Sequence, residues 1–150
     1  MSRRIVSVVL VCAVVAVLAS AGGCSKRRGN RPQTYPVKGV VTMGGAPLAG
    51  ATVMFNPVAS GGSGAIALTD EQGRYSLTTF DAGDGAVAGE YRVAFVKTIY
   101  PKQEGVDPMV AMSGDPKNVL PLKFADSATS GFSATVAEGP ENSFDFSLEK

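Results

Sequence analysis

A chain of 150 residues with no histidine, no tryptophan and only two cysteines is barred from several chemistries before any element is placed. Without imidazole there is no Ser-His-Asp or Cys-His nucleophile pair, no His-ligated zinc, and no side chain whose ordinary pKa suits proton transfer near neutral pH. Fourteen Lys and Arg against thirteen Asp and Glu give a formal net charge of +1; from Tyr35 onward, however, eight basic residues face all thirteen acids, a net of −5, and such a domain repels nucleic-acid phosphate.

Arg3 and Arg4 precede an almost unbroken apolar run, Ile5 to Leu18, and small residues follow, which is the layout of a secretory signal. Two cutting instructions overlap at its end. Ala19-Ser20-Ala21 is a small-x-small site that would release a soluble chain beginning at Gly22. Ala21-Gly22-Gly23-Cys24 reads instead as a lipobox, with Ala21 where Leu is usual. An uncleaved helix is a third option, since the uncharged stretch from Ile5 to Ser25 is near the ~20 residues a span needs. Against it, Ala-Ser-Ala-Gly-Gly ends a helix poorly and basic residues flank both sides. Cys12 leaves with the signal, so Cys24 is the one cysteine of the mature chain and no intramolecular disulfide forms. A lone thiol in an oxidising compartment invites mispairing, and lipidation caps it. The preferred organisation is a lipoprotein-type signal over 1–23, a flexible tether over 24–34 with lipidated Cys24, and a folded domain over 35–150. Lys26, Arg27, Arg28 and Arg31 make the tether basic; each would be drawn to anionic headgroups by up to ~1 kcal/mol, or the stretch is a plain solvated spacer.

After Tyr35 the pattern changes to short runs between Gly, Pro, Asp and Asn. Val53 and Phe55, Tyr75 and Leu77, Tyr91, Val93 and Phe95, Phe132, Ala134 and Val136, and Phe144, Phe146 and Leu148 recur every second residue, the mark of strands with one buried face. "TMGGAPLAGA" separates a strand over Val37–Thr42 from one over Thr52–Asn56. In "TDEQGRYSL", Asp70 caps a turn and Gly73 takes positive φ, reversing the chain between Ala65–Thr69 and Arg74–Thr78. No later stretch keeps a helical apolar period for three turns. The expectation is one all-β domain of about seven strands in two packed sheets, with a core of Val53, Phe55, Tyr75, Leu77, Tyr91, Val93, Phe95, Phe132, Phe144 and Phe146. Thr98 to Ser130 alternates little and carries four prolines, so this long connection is the first candidate binding surface.

"VKGVVTMGGAPLAGATVMFNPV", "TDEQGRYSL" and "GAVAGEYRVAFVK" together resemble the carboxypeptidase regulatory-like domain, a transthyretin-like module. The tail from Leu120 is similar to the ending of small bacterial envelope lipoproteins built on it. The resemblance runs from Val37 to Glu149 and implies a single Ig-like or transthyretin-like β-sandwich with a binding or structural role. It does not imply peptidase activity, which belongs to a different domain of the enzymes concerned.

Little catalytic chemistry remains. "GGSGA" around Ser63 has Ala65 where a nucleophile elbow has its last Gly, and no base is present to activate the serine. Asp81, Asp84 and Glu90 lie within ten residues and offer the hard oxygens that suit calcium, yet an EF-hand register on Gly85 puts Phe80 and Tyr91 at ligand positions. Asp81 and Asp84, three apart on one loop, have no reason to face each other across a glycosidic bond. Tyr35 and Tyr100 are the aromatics free to stack on a sugar. The leading expectation is a non-enzymatic, lipid-anchored protein of the bacterial cell envelope, without cofactor or metal, presenting its β-domain for protein interaction or structural support, with an envelope protein or glycan as partner. The alternative is a glycan- or calcium-binding module using Asp81, Asp84, Glu90 and Tyr100.

Overall fold

A computed structural model describes residues 31–100 and 116–149. The expected signal, both candidate cutting sites, Cys24, most of the expected tether and residues 101–115 lie outside the described residues. Among the described residues no helix is long and apolar enough to cross a membrane.

The described chain is almost entirely β-strand. In chain order the strands are β1 Thr34–Tyr35, β2 Val37–Met43, β3 Ala46–Pro47, β4 Thr52–Pro57, β5 Ala65–Leu68, β6 Arg74–Ser76, β7 Ala86–Val87, β8 Gly89–Val96, β9 Thr98–Ile99, β10 Lys117–Asn118, β11 Phe132–Val136, β12 Asn142–Ser143 and β13 Phe146–Leu148. One helical turn, α1 Leu122–Ala125, precedes β11. Seven of the thirteen described strands exceed two residues, and these are the runs in which apolar side chains alternate. The Asp70 turn forms as its sequence dictates: the carboxylate accepts the N–H groups of Gln72 and Arg74 at 2.9 and 2.8 Å, and Gly73 sits at φ 72°.

Two sheets carry the core. One is wholly antiparallel, in the order β11-β8-β4-β5. The other is built around β2, with β12 and β13 running parallel to it and β3 and β6 antiparallel. Two small pairs, β1 with β7 and β9 with β10, and a single antiparallel bridge, Ile66 with Thr78, lie outside these two sheets' main ladders among the described residues. Phe55 from the first sheet meets Phe146 and Tyr75 from the second, and Phe144 from the link between β12 and β13, with ring centroids 6.1, 6.5 and 6.2 Å apart. Phe146 in turn stands 5.3 Å from Phe95, edge-on, a geometry that adds to the area these rings bury.

Eight of the ten expected core residues are buried. Phe132 and Phe144 are only partly so, packed against the core from its margin. The reason is position: Phe132 opens the outermost strand β11, and Phe144 lies in the gap between β12 and β13. Within that gap the Phe144 N–H still donates to the Lys38 carbonyl at 3.0 Å, and a side chain takes over the next bond. Asp145 Oδ1 accepts the Val40 N–H at 2.8 Å, standing in for a strand carbonyl. Meanwhile the Tyr75 hydroxyl donates to the Phe144 carbonyl at 2.7 Å. Burial first, and the Asp145 carboxylate second, push the Tyr75 phenol well above its usual range. Gly39 makes the arrangement feasible, because a Cβ there would stand 1.9 Å from the Phe144 oxygen.

Candidate functional site

The loop from Leu77 to Gly85 holds two of the candidate ligand carboxylates. Asp84 Oδ1 accepts the Thr79 N–H at 2.7 Å, and Oδ2 accepts those of Phe80 and Asp81 at 3.1 and 3.0 Å. Thr79 Oγ1 donates to the Gly85 carbonyl at 2.7 Å, and the Gly83 N–H donates to Thr78 Oγ1 at 2.9 Å. Burial acts to raise the pKa of Asp84, but the N–H groups of Thr79, Asp81 and Phe80 outweigh it and hold the carboxyl below the usual aspartate value. Both oxygens are thus turned onto the loop's own backbone. A side chain so engaged is a clasp that shapes the turn leading into β7, against which β1 pairs.

The other candidates do not join it. Asp81 is exposed at the rim of the turn, and Glu90 is exposed on β8, opposite Thr135 of β11. Among the described residues no three His, Cys, Asp or Glu side chains gather as a metal would require. Tyr100 follows β9 and is 48% exposed, with Ile99, Val119 and Leu122 also open to solvent nearby in the chain or across the β9–β10 pair. Tyr35 is half-buried on β1; partial burial, then the Glu138 carboxylate and its hydrogen bond, push its phenol upward. Ser63 lies in the β4–β5 loop, where its carbonyl accepts the Tyr91 hydroxyl at 3.3 Å. Cys24 lies outside the described residues.

The described part of Thr98 to Ser130 is anchored from within. The Asn118 amide oxygen accepts the N–H groups of Lys97 and Leu120, at 3.2 and 3.1 Å. Leu120 and Phe124 are buried, and the buried Ser130 hydroxyl donates to the Val93 carbonyl at 2.5 Å.

A further surface, on none of the candidate residues, lies on the antiparallel sheet. In β5 the small residues Ala65 and Ala67 point into the core, while Ile66 and Leu68 point outward, 50% and 67% exposed. By register, Met54 and then Ala94 continue the row from Ile66, and Thr52 and Val96 the row from Leu68; Met54, Thr52 and Val96 are partly exposed, while Ala94 is buried. The outer face therefore has an apolar end, whereas Asn56, Arg92 and Ser133 make the other end polar. The signal for it was present in "AIAL", where large residues alternate with alanine, but alternation alone does not tell which set faces in.

No family model matches the sequence, and no curated protein does. Among solved structures, the chain is similar to part of a 9R-lipoxygenase from Cyanothece PCC8801. The match has a TM-score of 0.37 and 14% identity over 81% of this chain and 17% of that one, a likeness that carries no argument about function.

Proposed function

We propose that this chain is a non-enzymatic lipoprotein of the bacterial cell envelope, anchored through Cys24, whose residues 35–150 form a transthyretin-like β-sandwich of the carboxypeptidase regulatory-like kind. Its task is to present that domain to another envelope protein. The observation that carries the reading is the outer apolar row of Ile66 and Leu68 on an otherwise regular sheet. Large apolar side chains left half or more open, beside further apolar neighbours in register, mark interaction surfaces. The absence of histidine from the whole sequence supports a non-enzymatic role, and the aromatic contacts between the two sheets support the sandwich.

Two measurements test the reading. Intact mass of the protein extracted from its own cells' membranes should equal the chain from Cys24 plus acyl groups, and Cys24→Ala should abolish the modification. A bare soluble chain beginning at Gly22 would overturn the anchor. A photo-crosslinking residue introduced at Leu68 should capture an envelope protein in living cells, whereas the same probe at exposed Glu71 should not. Equal yields from the two positions would overturn the presenting surface.

A further inference from the structure

The first sheet has two edges of unequal openness. At β5, Ile66 exchanges both backbone hydrogen bonds with Thr78, each 2.9 Å, so that edge is partly closed. At β11 the described residues offer no strand partner beyond β8. The direction of its free groups follows from register. Val58 N–H donates to the Glu90 carbonyl at 2.9 Å, continuing the β4 side of β8, so Glu90, Arg92 and Ala94 turn their backbone groups toward β4. Tyr91 and Val93 therefore turn theirs toward β11, where they oppose Ala134 and Phe132. Ser133 and Thr135 are left with N–H and C=O directed away from the sheet.

Proteins blunt such edges with lysine, proline or a bulge. β11, Phe-Ser-Ala-Thr-Val, has none of these. Residues 127–137 contain no charged side chain, on a domain that is acidic elsewhere.

We propose that the occupant of this edge is β11 of a second copy of the chain, antiparallel and related by a two-fold axis through Ala134. That register sets Ser133 opposite Thr135 of the second copy, so every outward N–H meets an outward carbonyl. The two hydroxyls then lie side by side on the outer surface, a favourable cross-strand pair. Phe132 opposes Val136 of the second copy, an aromatic against a β-branched residue. The first charge beyond the strand, Glu138, falls opposite Ser130 of the second copy and not opposite itself. The acidic domains repel each other over most approaches, and this neutral strand is where self-contact brings no like charges together. Two four-stranded sheets become one of eight. The dimer does not depend on whether Cys24 carries lipid.

The test uses the full chain in its own cells. Ser133→Cys and Thr135→Cys chains are expressed separately and together, and the membranes and soluble fractions are analysed without reductant. Both side chains are exposed, so neither change disturbs the core. The expected result is a disulfide-linked peptide pair joining positions 133 and 135 on co-expression, at least about tenfold above any 133–133 or 135–135 link, because directly opposed residues lie within disulfide reach and the diagonal ones do not. Any Cys24–Cys24 link is common to all three samples and is distinguished by its peptides. In a second measurement, Thr135→Pro removes one outward N–H and leaves the β8 ladder intact; its far-UV circular dichroism should match wild type, and the extracted chain should sediment as a monomer where wild type is a dimer. No 133–135 link, equal yields at all pairings, a different protein captured at position 135, or a dimer that survives in Thr135→Pro would each overturn the proposal.

Discussion

The two sheets of this domain solve the same problem differently. The antiparallel sheet is a regular ladder: β8 pairs with β4 and β11, and backbone carries most of the bonding, with the Ser130 hydroxyl adding a bond to the Val93 carbonyl. The sheet around β2 is assembled from fragments, and side chains bridge their gaps. Asp145 serves the Val40 N–H, Tyr75 serves the Phe144 carbonyl, and the Asn142 side chain holds both backbone groups of Ala137 at 2.9 and 3.1 Å. Lys38 and Glu141 add an exposed ion pair at 2.5 Å. A sheet stitched by side chains is closed by its own irregularity, whereas the regular one has an edge, β11, with no further strand partner among the described residues, and two large apolar side chains, Ile66 and Leu68, exposed on its outer face. Specific stability and availability for contact have been separated between the two layers.

This contrast can be broken first where the layers meet. Phe55→Ala removes the ring that touches both sheets and should cost about 3–5 kcal/mol in urea unfolding, with one transition for both. A loss under about 1 kcal/mol would mean that the sheets do not share a core. Next, Asp145→Ala leaves the Val40 N–H without its acceptor and should cost about 1–2 kcal/mol, and Tyr75→Phe about 1 kcal/mol. Thr135→Ala on the regular sheet, whose side chain has no such duty, should stay within about 0.5 kcal/mol of wild type. Equal costs for Asp145→Ala and Thr135→Ala would erase the distinction.

The Asp84 clasp sharpens it with pH. Because this carboxyl is held below its ordinary value of 3.8, its contribution is fully present above that value and is lost as pH falls through the lower folded value. The stability difference between wild type and Asp84→Asn should be constant from pH 7 to 5 and shrink below pH 4. A difference that instead grows on acidification would reverse the assigned shift. The smallest effect concerns ligand: with both Asp84 oxygens bonded to the loop backbone, millimolar calcium should leave the melting temperature unchanged, and a rise of several degrees would restore a metal reading of this loop.

Local chemistry was the legible part of the sequence. The Asp70–Gly73 turn and the alternation in Val53–Phe55 and Tyr91–Phe95 each depend on neighbours a few residues away, and the chain reports them directly. The break between β12 and β13 depends on Val40, 105 residues from Asp145, and no local pattern announces it. The same holds for parallel pairing of the last strands with β2. The orientation of β5 was hidden for another reason: Ala65 and Ala67, paired with Phe55 and Val53, form the inner set and leave the larger Ile66 and Leu68 outside, and period-two alternation by itself does not say which set faces in. Among the candidate ligands, the spacing of Asp81, Asp84 and Glu90 was visible, but whether a carboxylate faces outward or onto its own turn is decided by backbone geometry.

The parallel union of β2 with β12 and β13 has a mechanical consequence. Strands that run side by side in one direction place the start of β2 and the end of β13 at opposite ends of their shared seam. Tension applied between Val37 and Leu148 would load that seam in shear, with its bonds resisting together. A hairpin pulled at its open end would lose the same bonds one after another, as a zip does.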